Sequence, residues 1–122
     1  MTDTVDELLA RRAPTAARPL LGLTLLLVED SRFASEAMRM LCLRSGARLR
    51  RADTLRAARR HLSAYRPCAV SIDLGLPDGS GLELIEELAR TEPDLPLIAT
   101  SGDDGTETAA RAAGAQEFLG TP

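Results

Sequence analysis

The stretch CAVSIDLGLPDGSG, residues 68 to 81, decides how this sequence folds. Its first part, residues 68 to 72, is a run of apolar and small residues typical of a strand covered on both faces of a parallel sheet. Asp73 stands where this run ends, and the turn-forming stretch from residue 74 to residue 80 predicts a loop. The sequence therefore predicts a carboxylate at the carboxyl end of a central strand.

Strands and helices alternate on both sides of this segment. The other predicted strands are residues 23 to 28, 47 to 51, 95 to 100 and 116 to 119. Helices are predicted between them at residues 32 to 44, 54 to 65, 82 to 89 and 106 to 113, and the first has its apolar residues at Phe33, Ala37, Met40 and Leu41. This alternation predicts an α/β fold, a doubly wound, five-stranded parallel sheet in the flavodoxin-like order 2-1-3-4-5.

The two ends of the chain depart from this regular alternation. Residues 1 to 22 are predicted to be an N-terminal extension, with a short amphipathic helix at residues 3 to 13 and a tether at residues 14 to 22. The remaining domain, residues 23 to 122, stops directly after the fifth strand. We therefore expect no final helix, and one face of the sheet left uncovered.

Polar side chains follow three of the predicted strands. The first strand ends in Glu29 and Asp30, the third in Asp73, and the fourth in Ser101. Crowded carboxylates repel one another unless one is protonated or a cation is bound. Mg²⁺ prefers oxygen ligands, so the sequence predicts a magnesium site made by these acids and the backbone carbonyl of Gly75. The Asp73 carboxylate could then attack phosphorus, with Ser101 hydrogen-bonded to the phosphoryl group.

Four segments resemble the response-regulator receiver domain of two-component signalling: LLLVEDS at residues 25 to 31, IDLGLPDGSG at 72 to 81, PLIATSG at 96 to 102 and GAQEFLGTP at 114 to 122. The resemblance implies that Asp73 accepts phosphate from a histidine kinase or a phosphotransfer protein. It also implies that Glu29 and Asp30 hold Mg²⁺, that Ser101 is the switch hydroxyl, and that Phe118 is the switch aromatic.

One residue departs from the family's pattern. Thr121 stands where these domains carry a lysine, and no lysine occurs anywhere in the sequence. A lysine offers a positive charge to the phosphoryl oxygens, whereas a threonine offers a neutral hydrogen bond that is roughly half as strong. We expect no arginine near the strand ends on the pocket side. Magnesium would therefore have to neutralise more of the negative charge of the carboxylates and the phosphoryl group.

Two functions remain open, and a third is disfavoured. The leading hypothesis is a phosphoacceptor signalling domain that is not itself a turnover enzyme. The alternative is a phosphorylation-independent pseudo-receiver, an interaction module on the same fold, which the missing lysine favours. An aspartate-nucleophile phosphohydrolase would need a second acid two residues after Asp73, where Gly75 stands.

Composition narrows the partners and the location. A net charge of -3 gives no field that would attract nucleic acid directly. The apolar run at residues 20 to 28 is about half the roughly 20 residues that a membrane span needs, so no membrane contact is expected. Cys42 and Cys68 match no metal spacing, and we interpret them as reduced thiols in the cytoplasm. A homodimer formed through the N-terminal extension or the exposed sheet face is a further hypothesis.

Overall fold

The computed structural model describes residues 18–121. Within them, five parallel strands form one sheet in the order β2-β1-β3-β4-β5, which confirms the predicted topology. The strands are β1 (Thr24–Val28), β2 (Arg48–Ala52), β3 (Ala69–Asp73), β4 (Leu97–Ser101) and β5 (Glu117–Gly120).

Four α-helices connect these strands in the described residues: α1 (Arg32–Ser45), α2 (Leu55–Ala64), α3 (Gly81–Thr91) and α4 (Glu107–Ala113). Three of them begin behind a hydroxyl side chain that accepts a hydrogen bond from a backbone N–H of the first turn. These caps are Ser31, Thr54 and Ser80. The loop before α3 contains a short antiparallel pair, Gly75–Leu76 with Gly79–Ser80, and a 3-10 turn at Asp104–Thr106 precedes α4.

The main hydrophobic core lies on one face of the sheet. There α2, α3 and α4 bury residues such as Leu55, Ile85 and Ala110 against alternate residues of the strands. On the strands the core residues are Leu26 and Val28, Val70 and Ile72, and Leu97 and Ala99. Because side chains alternate along a strand, the residues between them point to the opposite face.

Helix α1 covers part of that opposite face and contributes no residue to the main core. Its buried residues are Ser35 and Cys42. The apolar residues singled out in the sequence lie on the outside: the side chain of Phe33 is 85% exposed and that of Leu41 is 58% exposed. The helix that this spacing predicted is present, but its apolar residues are exposed, and among residues 18–121 no second helix packs beside α1.

The sheet is also incompletely covered at its β5 edge among the described residues. No helix follows β5 in the described part of the chain, and the side chain of Leu119 is 50% exposed. The predicted helix at residues 3 to 13 and most of the tether lie outside the described residues. Residues 18–22 form turns that approach the end of α1, where the Leu20 N–H donates to the Ser45 carbonyl at 2.8 Å. Among residues 18–121, no helix has the length and apolar character that crossing a membrane requires.

Candidate functional site

Three acidic residues meet at the carboxyl ends of two neighbouring strands. Strands β1 and β3 pair in parallel with Val28 opposite Ile72, so Glu29 and Asp73 continue from adjacent positions. One carboxylate oxygen from each of Glu29, Asp30 and Asp73 lies within 4.8 Å of the others. Glu29 is buried, Asp73 is half-buried and Asp30 is exposed. The structure thus brings together the three acids that the sequence predicted to share a pocket.

The buried member of this cluster has an altered acidity. Burial, together with a hydrogen bond to Asp73 and the charge of Asp73, raises the pKa of the Glu29 carboxyl to about 7. The Ser31 N–H donates to Glu29 Oε2 at 3.3 Å, which lowers the pKa in part. A carboxyl group so placed favours either a proton or a nearby cation.

Backbone contacts hold Asp73 at the top of β3. The Gly75 N–H donates to Asp73 Oδ1 at 3.2 Å, and the Leu74 N–H donates to the Thr100 carbonyl on β4 at 3.0 Å. The Gly81 N–H, at the start of α3, donates to the Leu74 carbonyl at 3.1 Å. The carboxylate is therefore fixed between a rigid strand and the first turn of a helix.

The predicted hydroxyl residue lies on the next strand. Asp73 pairs with Thr100 in the register of β3 and β4, so Ser101 is one residue beyond the partner of Asp73. Ser101 is buried, and its Oγ accepts a hydrogen bond from the Asp103 N–H at 3.0 Å. Since Oγ serves as the acceptor in this bond, its own O–H can still donate to a ligand.

Two further predicted residues follow on β5 and directly after it. Thr121 is attached to the Ser101 segment, because its N–H donates to the Ser101 carbonyl at 2.8 Å. Phe118 pairs with Ala99 in the register of β4 and β5, and it is half-buried against the main core. The switch role of Phe118 stays a prediction, because its position fits an ordinary core residue equally well.

An arginine contacts the acidic segment, contrary to our expectation that none lies nearby. Arg51 Nε donates to the Glu29 carbonyl and Arg51 Nη2 donates to the Asp30 carbonyl, each at 3.1 Å. These bonds go to the backbone and not to the carboxylates. Arg51 therefore stabilises the loop that carries the acids, and the assignment of Thr121 to the family's lysine position stays a prediction.

A second contact that the sequence did not reveal joins the loop between Asp73 and α3 to the first turn of α2. The Asp78 carboxylate accepts hydrogen bonds from the Leu55 N–H at 2.8 Å and the Arg56 N–H at 3.1 Å. These backbone bonds lower the pKa of Asp78, with the Leu55 bond contributing most. In the sequence, an aspartate before a glycine is typical of a simple turn. Only the proximity of Asp78 to Asp73 in the sequence suggested a role beyond that of a turn residue.

The combination of fold and site defines a class of protein. A doubly wound five-stranded sheet that ends in an acidic cluster, with a hydroxyl on the neighbouring strand, is the arrangement of a receiver domain. Residues 25–121 match the response regulator receiver domain family, and the chain belongs to that family. The resemblance predicted from four sequence segments is confirmed.

Similar proteins agree with this assignment. The KDP operon transcriptional regulatory protein KdpE of Escherichia coli strain K12 is 33% identical over 99 residues, which make up 80% of this chain and 44% of KdpE. The chain thus spans less than half the length of this relative. The non-phosphorylated HemR receiver domain from Leptospira biflexa is similar with a TM-score of 0.70 and 30% identity, covering 82% of each chain.

A third similar protein is a response regulator from Burkholderia pseudomallei. Its structure, with a phosphorylated aspartic acid, a calcium ion and citrate, has a TM-score of 0.74 and 25% identity. The similarity covers 82% of this chain and 60% of that one.

Proposed function

We propose that this domain accepts a phosphoryl group on the carboxylate of Asp73 and serves as a signalling module, not as a turnover enzyme. The observation that carries the proposal is the cluster of Glu29, Asp30 and Asp73, whose carboxylate oxygens lie within 4.8 Å of one another. Such a cluster is costly to build without a ligand, since like charges at this distance repel. Its position at the strand ends is the usual binding edge of this fold.

The donor would be the phosphohistidine of a histidine kinase or of a phosphotransfer protein. An oxygen of Asp73 attacks phosphorus, the P–N bond breaks, and the imidazole leaves with the electron pair. The product is an acyl phosphate on Asp73, which water later hydrolyses. The Ser101 hydroxyl would donate a hydrogen bond to a phosphoryl oxygen, and its position one residue beyond the strand partner of Asp73 supports this role.

The donor set of the cluster fits Mg²⁺. Carboxylates of Glu29, Asp30 and Asp73, with the backbone carbonyl of Gly75, offer the oxygen ligands that this ion prefers. A bound divalent cation neutralises negative charge on the carboxylates and on the incoming phosphoryl group. The raised pKa of Glu29 supports this fit, because it reflects a carboxylate that is poorly compensated within the described residues.

The solved relatives support the same chemistry. The Burkholderia pseudomallei response regulator carries a phosphorylated aspartic acid and a calcium ion. We infer that Asp73 is the corresponding acceptor here, and that a divalent cation binds beside it. We also propose that the domain works in the cytoplasm, where thiols such as those of Cys42 and Cys68 are kept reduced.

A second function, a phosphorylation-independent interaction module, is favoured by one observation. Thr121 is hydrogen-bonded through its N–H to the Ser101 carbonyl, yet it brings no positive charge to that position. Phosphate on Asp73 would then have one fewer charged contact through which to alter β5 and the surface around it.

Incubation with acetyl phosphate and Mg²⁺, read by intact mass, separates the two functions. The wild-type protein is expected to gain the mass of one phosphoryl group, and Asp73→Asn is expected to gain none. An Asp30→Asn variant should gain it more slowly, because a proposed metal ligand is lost. No gain in the wild-type protein would favour the interaction module.

A further inference from the structure

The chain between β3 and α3 folds back on itself as a short hairpin, residues 75–80. Two antiparallel pairs hold the hairpin together: Gly75 with Ser80, and Leu76 with Gly79. At the base of the hairpin, the Gly75 N–H donates to Asp73 Oδ1 at 3.2 Å. At its tip, Asp78 lies between the two paired arms. The hairpin therefore connects the carboxylate of the proposed phosphoacceptor to a second acidic residue at the far end of the loop.

The tip of the hairpin is bound to the first turn of α2. Each oxygen of the Asp78 carboxylate accepts one hydrogen bond, Oδ1 from the Leu55 N–H at 2.8 Å and Oδ2 from the Arg56 N–H at 3.1 Å. The first N–H groups of an α-helix have no partner within the helix, so they are available to such a carboxylate. The helix dipole also favours a negative charge at this end. Asp78 therefore caps α2 from a distant part of the chain.

The next N–H group of α2 is capped by a local residue. The Ala57 N–H donates to Thr54 Oγ1 at 3.0 Å, and Thr54 directly precedes the helix. A substitution of Thr54 thus weakens this end of α2 and leaves both bonds of the hairpin in place. A substitution of Asp78 weakens the same end of α2 and also releases the hairpin. Comparison of the two residues therefore separates the stability of α2 from the position of the hairpin.

The hairpin packs closely against α2 at its tip and is exposed at its base. Gly79 has a φ of 152°, and a Cβ added to it would come within 2.9 Å of Leu55 Cδ1. Leu76 is buried in the main core. Gly75, in contrast, is exposed, and a Cβ added to it would meet nothing within 4 Å. Because Gly75 has no side chain to pack, its position depends on the backbone of the hairpin and on the contacts that anchor the hairpin.

We propose that Asp78 is a positioning residue for phosphoryl acceptance, which anchors the hairpin to α2 and so keeps the Gly75 N–H on the Asp73 carboxylate. This inference rests on the proposed function, because Asp78 acts through Asp73. A carboxylate that is held in one orientation attacks phosphorus without first having to be ordered. The same anchor fixes the backbone of Gly75, whose carbonyl belongs to the proposed magnesium ligands.

Substitutions at the two capping residues test the proposal in the full chain. Asp78→Ala removes both acceptor oxygens, Asp78→Asn keeps one of them, and Thr54→Ala is the matched control at the same end of α2. The rate of phosphorylation by acetyl phosphate with Mg²⁺ is read by intact mass. We expect it to be about tenfold lower in Asp78→Ala, with Asp78→Asn in between, and within about twofold of the wild-type rate in Thr54→Ala. Urea unfolding checks that each variant is folded.

A second measurement follows the Gly75 N–H itself, without Mg²⁺ and without a phosphodonor. The exchange of this amide hydrogen with water, measured by NMR, reports how often its bond to Asp73 Oδ1 opens. Asp78→Ala should speed this exchange about fivefold or more, because the hydrogen bonds of the anchor no longer oppose opening. Thr54→Ala should leave the exchange of Gly75 unchanged, since the hairpin keeps both of its bonds to α2.

The two measurements distinguish a failure of this inference from a failure of the proposed function. Wild-type rates of phosphorylation and of Gly75 exchange in Asp78→Ala would overturn the positioning role alone. Equal losses in Asp78→Ala and Thr54→Ala would overturn it as well, because they would reflect only the stability of α2. No phosphoryl gain in the wild-type protein would overturn the proposed function, and with it the role of Asp78 in phosphoryl acceptance.

Discussion

Gly81 lies against the backbone of Asp73: a Cβ added to Gly81 would come within 2.2 Å of the Asp73 carbonyl oxygen. It would also come within 2.9 Å of the Ile72 side chain. Helix α3 therefore begins directly on the residue that carries the proposed phosphoryl group. The glycine is required by space and not by backbone conformation, because Gly81 is not among the described glycines with positive φ.

Gly81→Ala is accordingly expected to destabilise the domain by about 3 kcal/mol or more, since backbone atoms must shift to relieve the contact. Gly75→Ala is a matched control in the same loop, because a Cβ there meets nothing within 4 Å. Its effect on the free energy of unfolding should stay within about 0.5 kcal/mol. Urea unfolding measures both, and equal effects of the two substitutions would contradict this account of the packing.

Magnesium is expected to stabilise the folded domain, because the three clustered carboxylates repel one another without a cation. A ligand at about one hundred times its dissociation constant raises the free energy of unfolding by about 2.7 kcal/mol. Thermal unfolding with and without Mg²⁺ measures this effect. Asp30→Asn should reduce it, whereas the same substitution at the exposed Asp94, in the turn before β4, should not. Equal responses of all three proteins would argue against a metal site at the cluster.

Arg51 is expected to matter for the loop that carries the acids. Its guanidinium group donates to the carbonyls of Glu29 and Asp30, each at 3.1 Å. Arg51→Met should lower the free energy of unfolding by about 1 kcal/mol, the typical net contribution of an intramolecular hydrogen bond. It should also weaken Mg²⁺ binding, measured by calorimetry. Arg48→Met, at an exposed position on the same strand, is the control, and a similar loss of affinity there would refute a specific role of Arg51.

Asp78 should give the domain a pH-dependent stability. Its pKa is lowered in the folded state by the Leu55 and Arg56 N–H groups, so its ionised form stabilises the fold above the unfolded pKa of about 3.9. That stabilisation is lost as the pH falls through this value towards the folded pKa. Asp78→Asn should therefore destabilise the domain at about pH 6 and have a smaller effect at about pH 3. Urea unfolding at the two pH values is the measurement, and an equal effect at both would contradict the assignment.

The sequence was sufficient to predict the order of the strands in the sheet and the residues that form the acidic cluster. Strand β3 and Asp73 were predictable because a short apolar run followed by turn residues is a local signal. The meeting of Glu29 with Asp73 followed from topology, since parallel strands place their carboxyl ends at one edge.

Other features depended on contacts between distant residues. The bonds of Arg51 to Glu29 and of Asp78 to Leu55 join positions 22 and 23 residues apart, and neither has a local pattern. The exposure of the apolar residues on α1 could not be predicted for a related reason. Phe33 and Leu41 have the spacing of a buried stripe, but whether such a stripe is buried depends on which element packs against it.

The most direct test of the central claim is the location of the phosphoryl group. Peptide mapping by tandem mass spectrometry, after acetyl phosphate treatment with Mg²⁺, should place one phosphoryl group on Asp73 in the peptide that spans β3 and the loop before α3. Ser101→Ala should leave that location unchanged, because its hydroxyl is proposed to hydrogen-bond the phosphoryl group and not to accept it. A phosphoryl group found on Ser101 or on another residue, or none at all, would contradict the account.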